Sequence, residues 1–329
     1  MGDASGPMLI VHGYDNIPPA ARGAVLAIGN FDGVHRGHQA LLLATKAKAR
    51  DVPAPAGVLL FEPHPREFFQ PDKPHFRLTP LALKLDLLAG LGLDVGIVLA
   101  FDRALAGLPA EEFIDRVLVR ALAVRHVVVG EDFHFGKGRG GNPQVLQRAA
   151  APGGFGVTVI PPVRDGTEVF SSSVIRTRLA QGNVEGAARM LGWWWRVSGK
   201  VIGGARRGTG LGFPTANITL APGVALGHGI YAVRVHAAGE CHAAAAYLGT
   251  RPTFDDGAPV LEVFLLDFQG DLYGREIAVE FIAFIRPDRR FDSAEALQQQ
   301  MAKDCAEARA RLAAAPAGRA WQTLPHEAG

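Results

Sequence analysis

The sequence predicts two domains of different class: an N-terminal α/β domain built on a parallel sheet, then a small antiparallel β-barrel closed by one helix. Three observations carry this. Residues 24–192 alternate short β-like runs with helical patterns, the signature of parallel strands covered by helices on both faces. After about residue 192, β-like runs follow one another through Gly, Pro and Asp turns with no long helix between them, which suits a barrel. The last patterned segment, AEALQQQMAKDCAEARARLAAA, consists mostly of helix formers behind an Asp292-Ser293 cap.

The elements follow in order. AVLAI (24–28) reads as a strand and leads to a helix over 38–50. GVLLF (57–61) precedes the helical LALKLDLLAGL (81–91), whose lysine and aspartate are expected on one side. VGIVLAF (95–101) precedes AEEFIDRVLVRAL (110–122), and HVVVG (126–130) precedes NPQVLQRAA (142–150). GVTVI (156–160) is followed by SSSVIRTRLAQG. In the second half, RVSGKVIGG, GIYAVRV, HAAAAYLG, PVLEVFLLDF and EIAVEFIAFI are the strands. The boundary falls near residue 190, beside Trp193, Trp194 and Trp195, which read as packing at the domain junction. Residues 317–329 form a frayed tail.

Bulk composition narrows the function. The chain has 329 residues, 48% hydrophobic and 20% charged, with a net charge of +2. This is ample apolar material for two cores. It gives no electrostatic case for nucleic acid or an anionic membrane as partner. Cys241 and Cys305 stand far apart and outside any metal spacing, so a reducing compartment is expected. The N-terminus has no basic start with an apolar core, and no uncharged apolar stretch is long enough to span a bilayer. A soluble cytoplasmic protein is expected; weak self-association stays open.

GNFDGVHRGH (29–38) stands where a strand hands over to a helix. Glycine there lets backbone amides approach an anion, and a helix start adds free N–H groups and a positive dipole end. His35 and His38, three apart, can face one side and donate to phosphate oxygens. The same pattern also suits half of a metal site or a plain surface helix start, and the decapeptide alone does not choose. Neither G-x-x-x-x-G-K-[ST] nor G-x-G-x-x-G is present. SSSVIR (171–176) sets three hydroxyls and Arg176 at another helix start, and GEDFHFGKGRGGN (130–142) has the mix of a ligand loop.

A second constellation is GKVIGGARRGTGLGFPTANI (199–218). Its glycines could fold over a triphosphate or simply turn a barrel hairpin. Pro214 stiffens the chain, so Thr215 and Asn217 are expected to project from a turn as hard oxygen donors. Glu262 alternates against Leu261 and Val263 and shares a face with Phe264. It is either a salt-bridge partner or a base.

The ordered set GNFDGVHRGH, FEPHP (61–65), VVVGEDFHFGKGRGG and SSSVIRTRL resembles the nucleotidyltransferase half of the bacterial bifunctional riboflavin kinase/FMN adenylyltransferases, the prokaryotic FAD synthetases. GLGFPTANI, GIYAV, YLGTRPTF, LEVFLLDF and FIRPDRRFDSAEAL resemble their riboflavin kinase module. The resemblance covers about residues 14–310. It implies a Rossmann-like nucleotidyltransferase domain (14–190), a kinase barrel (191–316), and conversion of riboflavin to FMN and then FAD with ATP and Mg2+. Gly29, Asn30, Phe31, Asp32, His35, His38, Ser172, Ser173 and Arg176 would hold ATP in the first domain. Gly204, Arg207, Gly208, Thr215 and Asn217 would do so in the second, with Thr215 and Asn217 also meeting the magnesium. Glu262 would be the general base on the riboflavin 5′-hydroxyl, and His35 and His38 would stabilise the adenylyl transition state. Phe61, Pro63, His64, Pro65, Phe133 and Arg286 are the flavin contacts it suggests. Three positions depart from the family pattern: Ser173 replaces the usual threonine, Thr209 a basic residue and Phe264 a histidine. Two other readings follow from such departures, a chain with one surviving activity and a non-catalytic flavin sensor.

Overall fold

The structure, a computed structural model, describes residues 7–202, 215–250 and 259–316. The chain divides into two compact units, residues 1–172 and 173–329.

The first unit is a six-stranded, wholly parallel sheet: β1 (Leu9–His12), β2 (Val25–Ile28), β3 (Ala56–Glu62), β4 (Val95–Ala100), β5 (His126–Gly130) and β6 (Gly156–Ile160). Their spatial order is β1-β4-β3-β2-β5-β6. The helices are α1 (Arg36–Asp51), α2 (Pro65–Phe69), α3 (Leu81–Gly90), α4 (Arg103–Gly107), α5 (Ala110–Glu112, continuing as a π-helix over Phe113–Ala121) and α6 (Pro143–Gly153). Val25–Ile28 is buried on both faces, as a central parallel strand should be. Caps set the helix starts: Asp102 Oδ1 accepts from Leu105 N at 2.8 Å, and Asn142 Oδ1 from Val145 N at 3.0 Å. The edge strand β1 was not anticipated. Its four residues include only one fully buried position, Val11, so no hydrophobic alternation marks it. A small β7/β8 pair (Arg164–Asp165 with Glu168–Val169) follows the sheet.

In the second unit, α7 (Ser172–Ala180, whose first residue ends the first unit) and α8 (Val184–Leu191) precede a closed barrel. Its strands are β9 (Arg196–Ile202), β10 (Ala216–Thr219), β11 (Gly229–Ala237), β12 (Glu240–Thr250), β13 (Pro259–Leu265) and β14 (Glu276–Arg286), in the order β10-β13-β12-β11-β14-β9. Every pairing is antiparallel. Ile218, Tyr231, Val233, Leu261, Val263 and Phe281 are fully buried. Trp195 stacks on Phe281 with ring centroids 5.4 Å apart, so this tryptophan belongs to the packing of the barrel unit. The closing helix α9 (Ala294–Ala314) starts at the Ser293 cap, whose Oγ accepts from Ala296 N at 3.1 Å. Cys305 and Ala308 of α9 pack on Ala232, Ala245 and Ala283 of the barrel.

Two expectations change here. Asn217 lies inside strand β10, not in a turn, because closing the barrel requires a strand between β9 and β13. Lys84 and Asp86 do not share a side of α3: Lys84 is buried with Leu87 and Leu88, and Asp86 is exposed, since a separation of two residues turns a helix by about 200°. Gly204, Arg207, Gly208 and Thr209 lie outside the described residues, as does the tail from 317.

Candidate functional site

Among the described residues, each unit holds a candidate site. In the first, β2 ends at Ile28 and the chain runs through residues 29–35 into α1. His35 is the N-cap, its Nδ1 accepting from His38 N at 3.3 Å; an accepting Nδ1 leaves the ring proton on Nε2. The two imidazoles stack at 3.6 Å between centroids, so both face one side at the positive end of the helix. Gly37 makes room for this: a Cβ there would stand 3.1 Å from the His35 ring and 3.3 Å from the Phe170 carbonyl. Burial, then the fields of His35 and Lys84, hold His38 well below the usual imidazole range. It is therefore a neutral hydrogen-bonding group at pH 7.

The loop is strained and bolted in place. Phe31 and Val34 have φ of +48° and +40°, left-handed values that a β-branched valine rarely adopts. Asp32, 3% exposed, accepts from Leu78 N at 3.2 Å, Thr79 N at 3.0 Å and Thr79 Oγ1 at 3.2 Å. Ser172 Oγ donates to the Asp32 carbonyl at 2.8 Å, joining the start of α7 to this loop. The geometry thus gives Asp32 an anchoring role. Phe31 packs beneath Gly29 and against His38. Asn30 Oδ1 and His38 Nδ1 are buried with no partner among the described residues. Such orphans point to a ligand that completes them.

Of the other first-unit residues named above, Phe61 is 9% exposed and packs edge-on to Phe101 at 5.9 Å, which places it in the core. His64 caps α2, its Nδ1 accepting from Arg66 N at 3.1 Å, with Pro65 as the first helical residue and Pro63 just before. Phe133 stacks on Phe135. Beside them Phe68, Phe69 and Phe101 form an aromatic group in which Phe69 is 64% exposed. Arg77 binds both Glu62 and Glu67, and its guanidinium holds the Glu67 carboxyl below the usual range. Ser173 and Arg176 lie on α7, within the second unit.

The second site is built by register. Asn217 of β10 stands directly opposite Glu262 of β13, and Tyr247 of β12 opposite Glu262 on its other side, so the three side chains share one face. Leu261 and Val263 point inward, fully buried. Glu262 and Phe264, with Thr215, Ala245, Tyr247 and Met301, line a cavity of about 340 Å³ between the barrel and α9. Gly249 lies under the Tyr247 ring; any Cβ there would overlap its hydroxyl. That hydroxyl bonds Asp288 Oδ2 at 3.1 Å. Arg286 lines the cavity as well: Nε and Nη2 donate to both Asp304 oxygens at 2.9 and 2.7 Å, and the Phe291 ring centroid lies 5.7 Å from the Arg286 guanidinium carbon and 4.7 Å from that of Arg289. Removing one partner of a well-buried bidentate pair strands the other. Asp304→Ala is expected to lower the unfolding free energy of the second unit by roughly 3 kcal/mol, read by urea denaturation, and to raise the KM for the molecule that fills the cavity.

Among the described residues, no group of three or more His, Cys, Asp or Glu could hold a metal, and no helix is long and apolar enough to cross a membrane.

A family model for FAD synthetase matches residues 17–174, and one for riboflavin kinase matches residues 191–312. The chain is 44% identical to the bifunctional riboflavin kinase/FMN adenylyltransferase of Pseudomonas fluorescens over 93% of its length and 98% of the relative's. It is 43% identical to the Escherichia coli K12 protein of that name, over 90% and 96%. This chain belongs to the bifunctional riboflavin kinase/FMN adenylyltransferase family. A solved structure titled macrolide-efflux protein, from Streptococcus pneumoniae, superposes with a TM-score of 0.83 at 29% identity, covering 92% of this chain and 99% of that one. In this chain the paired histidines fall in the FAD synthetase match, and the Asn217–Glu262 row in the riboflavin kinase match. Sequence reasoning missed Lys84, Thr79, Arg77 and the Phe68–Phe69 pair in the first unit, and Tyr247, Asp288 and Asp304 in the second. Only the isolated lysine in an apolar helix, LALKLDLL, carried a signal for any of them.

Proposed function

We propose that the chain converts riboflavin to FMN with one ATP in the barrel unit, and FMN to FAD and pyrophosphate with a second ATP in the α/β unit. The observation that carries this reading is the Glu262 carboxylate, set opposite Asn217 on the wall of a cavity of about 340 Å³. That volume lies in the range of small-molecule sites. The isoalloxazine ring would lie against Phe264, Ala245 and Met301, with the ribityl chain running toward Glu262. Glu262 takes the proton of the 5′-hydroxyl as its oxygen attacks the γ-phosphorus, and ADP leaves. Thr215 and Asn217 present neutral oxygens, a donor set that suits a magnesium ion held mainly by substrate phosphates. Bound there, the ion would neutralise charge on the transferring phosphoryl group. Gly204, Arg207 and Gly208 complete the ATP grip in this proposal, and Arg286 acts on the flavin site through Asp304 and Phe291.

In the α/β unit the FMN phosphate attacks the α-phosphorus of ATP. His35 and His38 donate to the oxygens on which charge grows, at the helix end whose field favours it. Gly29 and Asn30 border the nucleotide, Phe31 and Asp32 hold the loop in shape, and Ser172 takes the pyrophosphate. Pro63, His64, Pro65 and Phe133 flank the flavin, and Phe61 supports them from the core. The proposed boundary is residue 190, and a cytoplasmic location fits both substrates.

Incubation with riboflavin, ATP and magnesium, followed by chromatography, tests the reading: FMN appears first and FAD then accumulates. FMN without FAD would restrict the chain to kinase activity, and riboflavin bound but unchanged would make it a sensor.

A further inference from the structure

Lys84 is 3% exposed, one turn into α3, where its backbone N–H bonds the Pro80 carbonyl at 2.9 Å. A buried ammonium is costly unless an anion accepts its protons. Among the described residues the Lys84 ammonium makes no hydrogen bond and no ion pair within 4.0 Å. The acids whose fields reach it, Asp32, Glu62 and Glu67, are engaged elsewhere. Asp32 is held by Leu78 and Thr79, and Arg77 takes Glu67 and one oxygen of Glu62. The other Glu62 oxygen is buried without a partner among the described residues. Burial pulls the Lys84 ammonium below the ordinary lysine range, and its field in turn reaches His38. The orphaned Asn30 Oδ1 and His38 Nδ1 mark the same loop as open to a ligand. The unit therefore keeps a buried cation, short of acceptors, within electrostatic reach of His38.

We propose that Lys84 is a phosphate-binding residue of the adenylyl-transfer site, its ammonium completing its hydrogen bonds on a phosphate oxygen of a bound substrate. This rests on the adenylyltransferase reading above. Two substrates could supply that oxygen, the ATP triphosphate and the attacking FMN phosphate, and in either case the cation offsets charge that grows as the two phosphates approach.

The test uses the full chain with Lys84→Met, which keeps the length of the side chain and removes its charge. FAD formation from FMN and ATP should fall by about 100-fold or more, the scale of losing one transition-state donor. FMN formation from riboflavin in the same preparation should be unchanged. The melting temperature should hold or rise, because an uncompensated buried charge is gone. Calorimetric titration with the non-hydrolysable analogue AMPCPP and, separately, with FMN identifies the source by which affinity drops. Full adenylyl transfer with both affinities intact overturns the proposal, and so does a rate loss matched by a lower melting temperature. If the variant does not fold, the wild-type chain labelled with 15N-lysine decides. The titration of its depressed lysine should move upward with AMPCPP or with FMN, and no movement with either overturns the assignment. A wild-type chain that makes no FAD from FMN would instead count against the adenylyltransferase reading.

Discussion

Glu262→Gln removes FMN formation and leaves FAD formation from supplied FMN in place. The substitution keeps the shape of the side chain and its position opposite Asn217 and Tyr247, so the cavity retains its form. What disappears is the acceptor for the hydroxyl proton, and losing a general base lowers a rate by roughly 100- to 10,000-fold. The effect appears in kcat, with the KM for riboflavin nearly constant, because binding comes from the apolar walls. Both rates are measured on one preparation, with riboflavin and then FMN as substrate. Equal loss of both activities would refute the assignment of Glu262 to one step.

His38→Ala does the reverse. The imidazole stacked on His35 is lost from the helix end, and adenylyl transfer drops by roughly 100- to 1,000-fold while riboflavin phosphorylation continues. A second readout comes from pH. Because His38 titrates below its ordinary value of about 6.5 in the folded chain, the unfolded chain takes up the proton first as pH falls. Stability is therefore lost progressively below about pH 6.5 toward the folded value, and the alanine variant should lose part of that slope. Urea denaturation of wild type and variant at pH 7.5 and 5.5 measures the difference. An adenylylation rate untouched by the substitution would remove the histidine from the mechanism.

Much of this was legible in the chain. The central strands announced themselves because a parallel strand buried on both faces reads as an unbroken apolar run, as AVLAI and HVVVG do. The paired histidines stood at a strand–helix junction, and the fold stacks them there at the start of α1. β1 and β10 were not legible for opposite reasons. β1 is an edge strand of four residues with one buried position. β10 hid behind Pro214, whose fixed φ suggested a turn, and only barrel closure shows it to be a strand. Lys84 was expected on the same side of α3 as Asp86, but the helix turn between them buries the lysine and leaves the aspartate exposed. The Arg286–Asp304 pair joins residues 18 apart in sequence, across a loop whose path depends on how α9 docks.

The two-residue rhythm of β13 means that its chemistry and its folding answer to the same alignment. Sliding that strand by a single position against β10 would turn the Glu262 carboxylate into the oily lumen and push Leu261 and Val263 out toward the cavity beside α9. A mispaired barrel would thus be both insoluble in its own core and inert, so the kinase rate of a refolded sample counts the molecules that found the right neighbour.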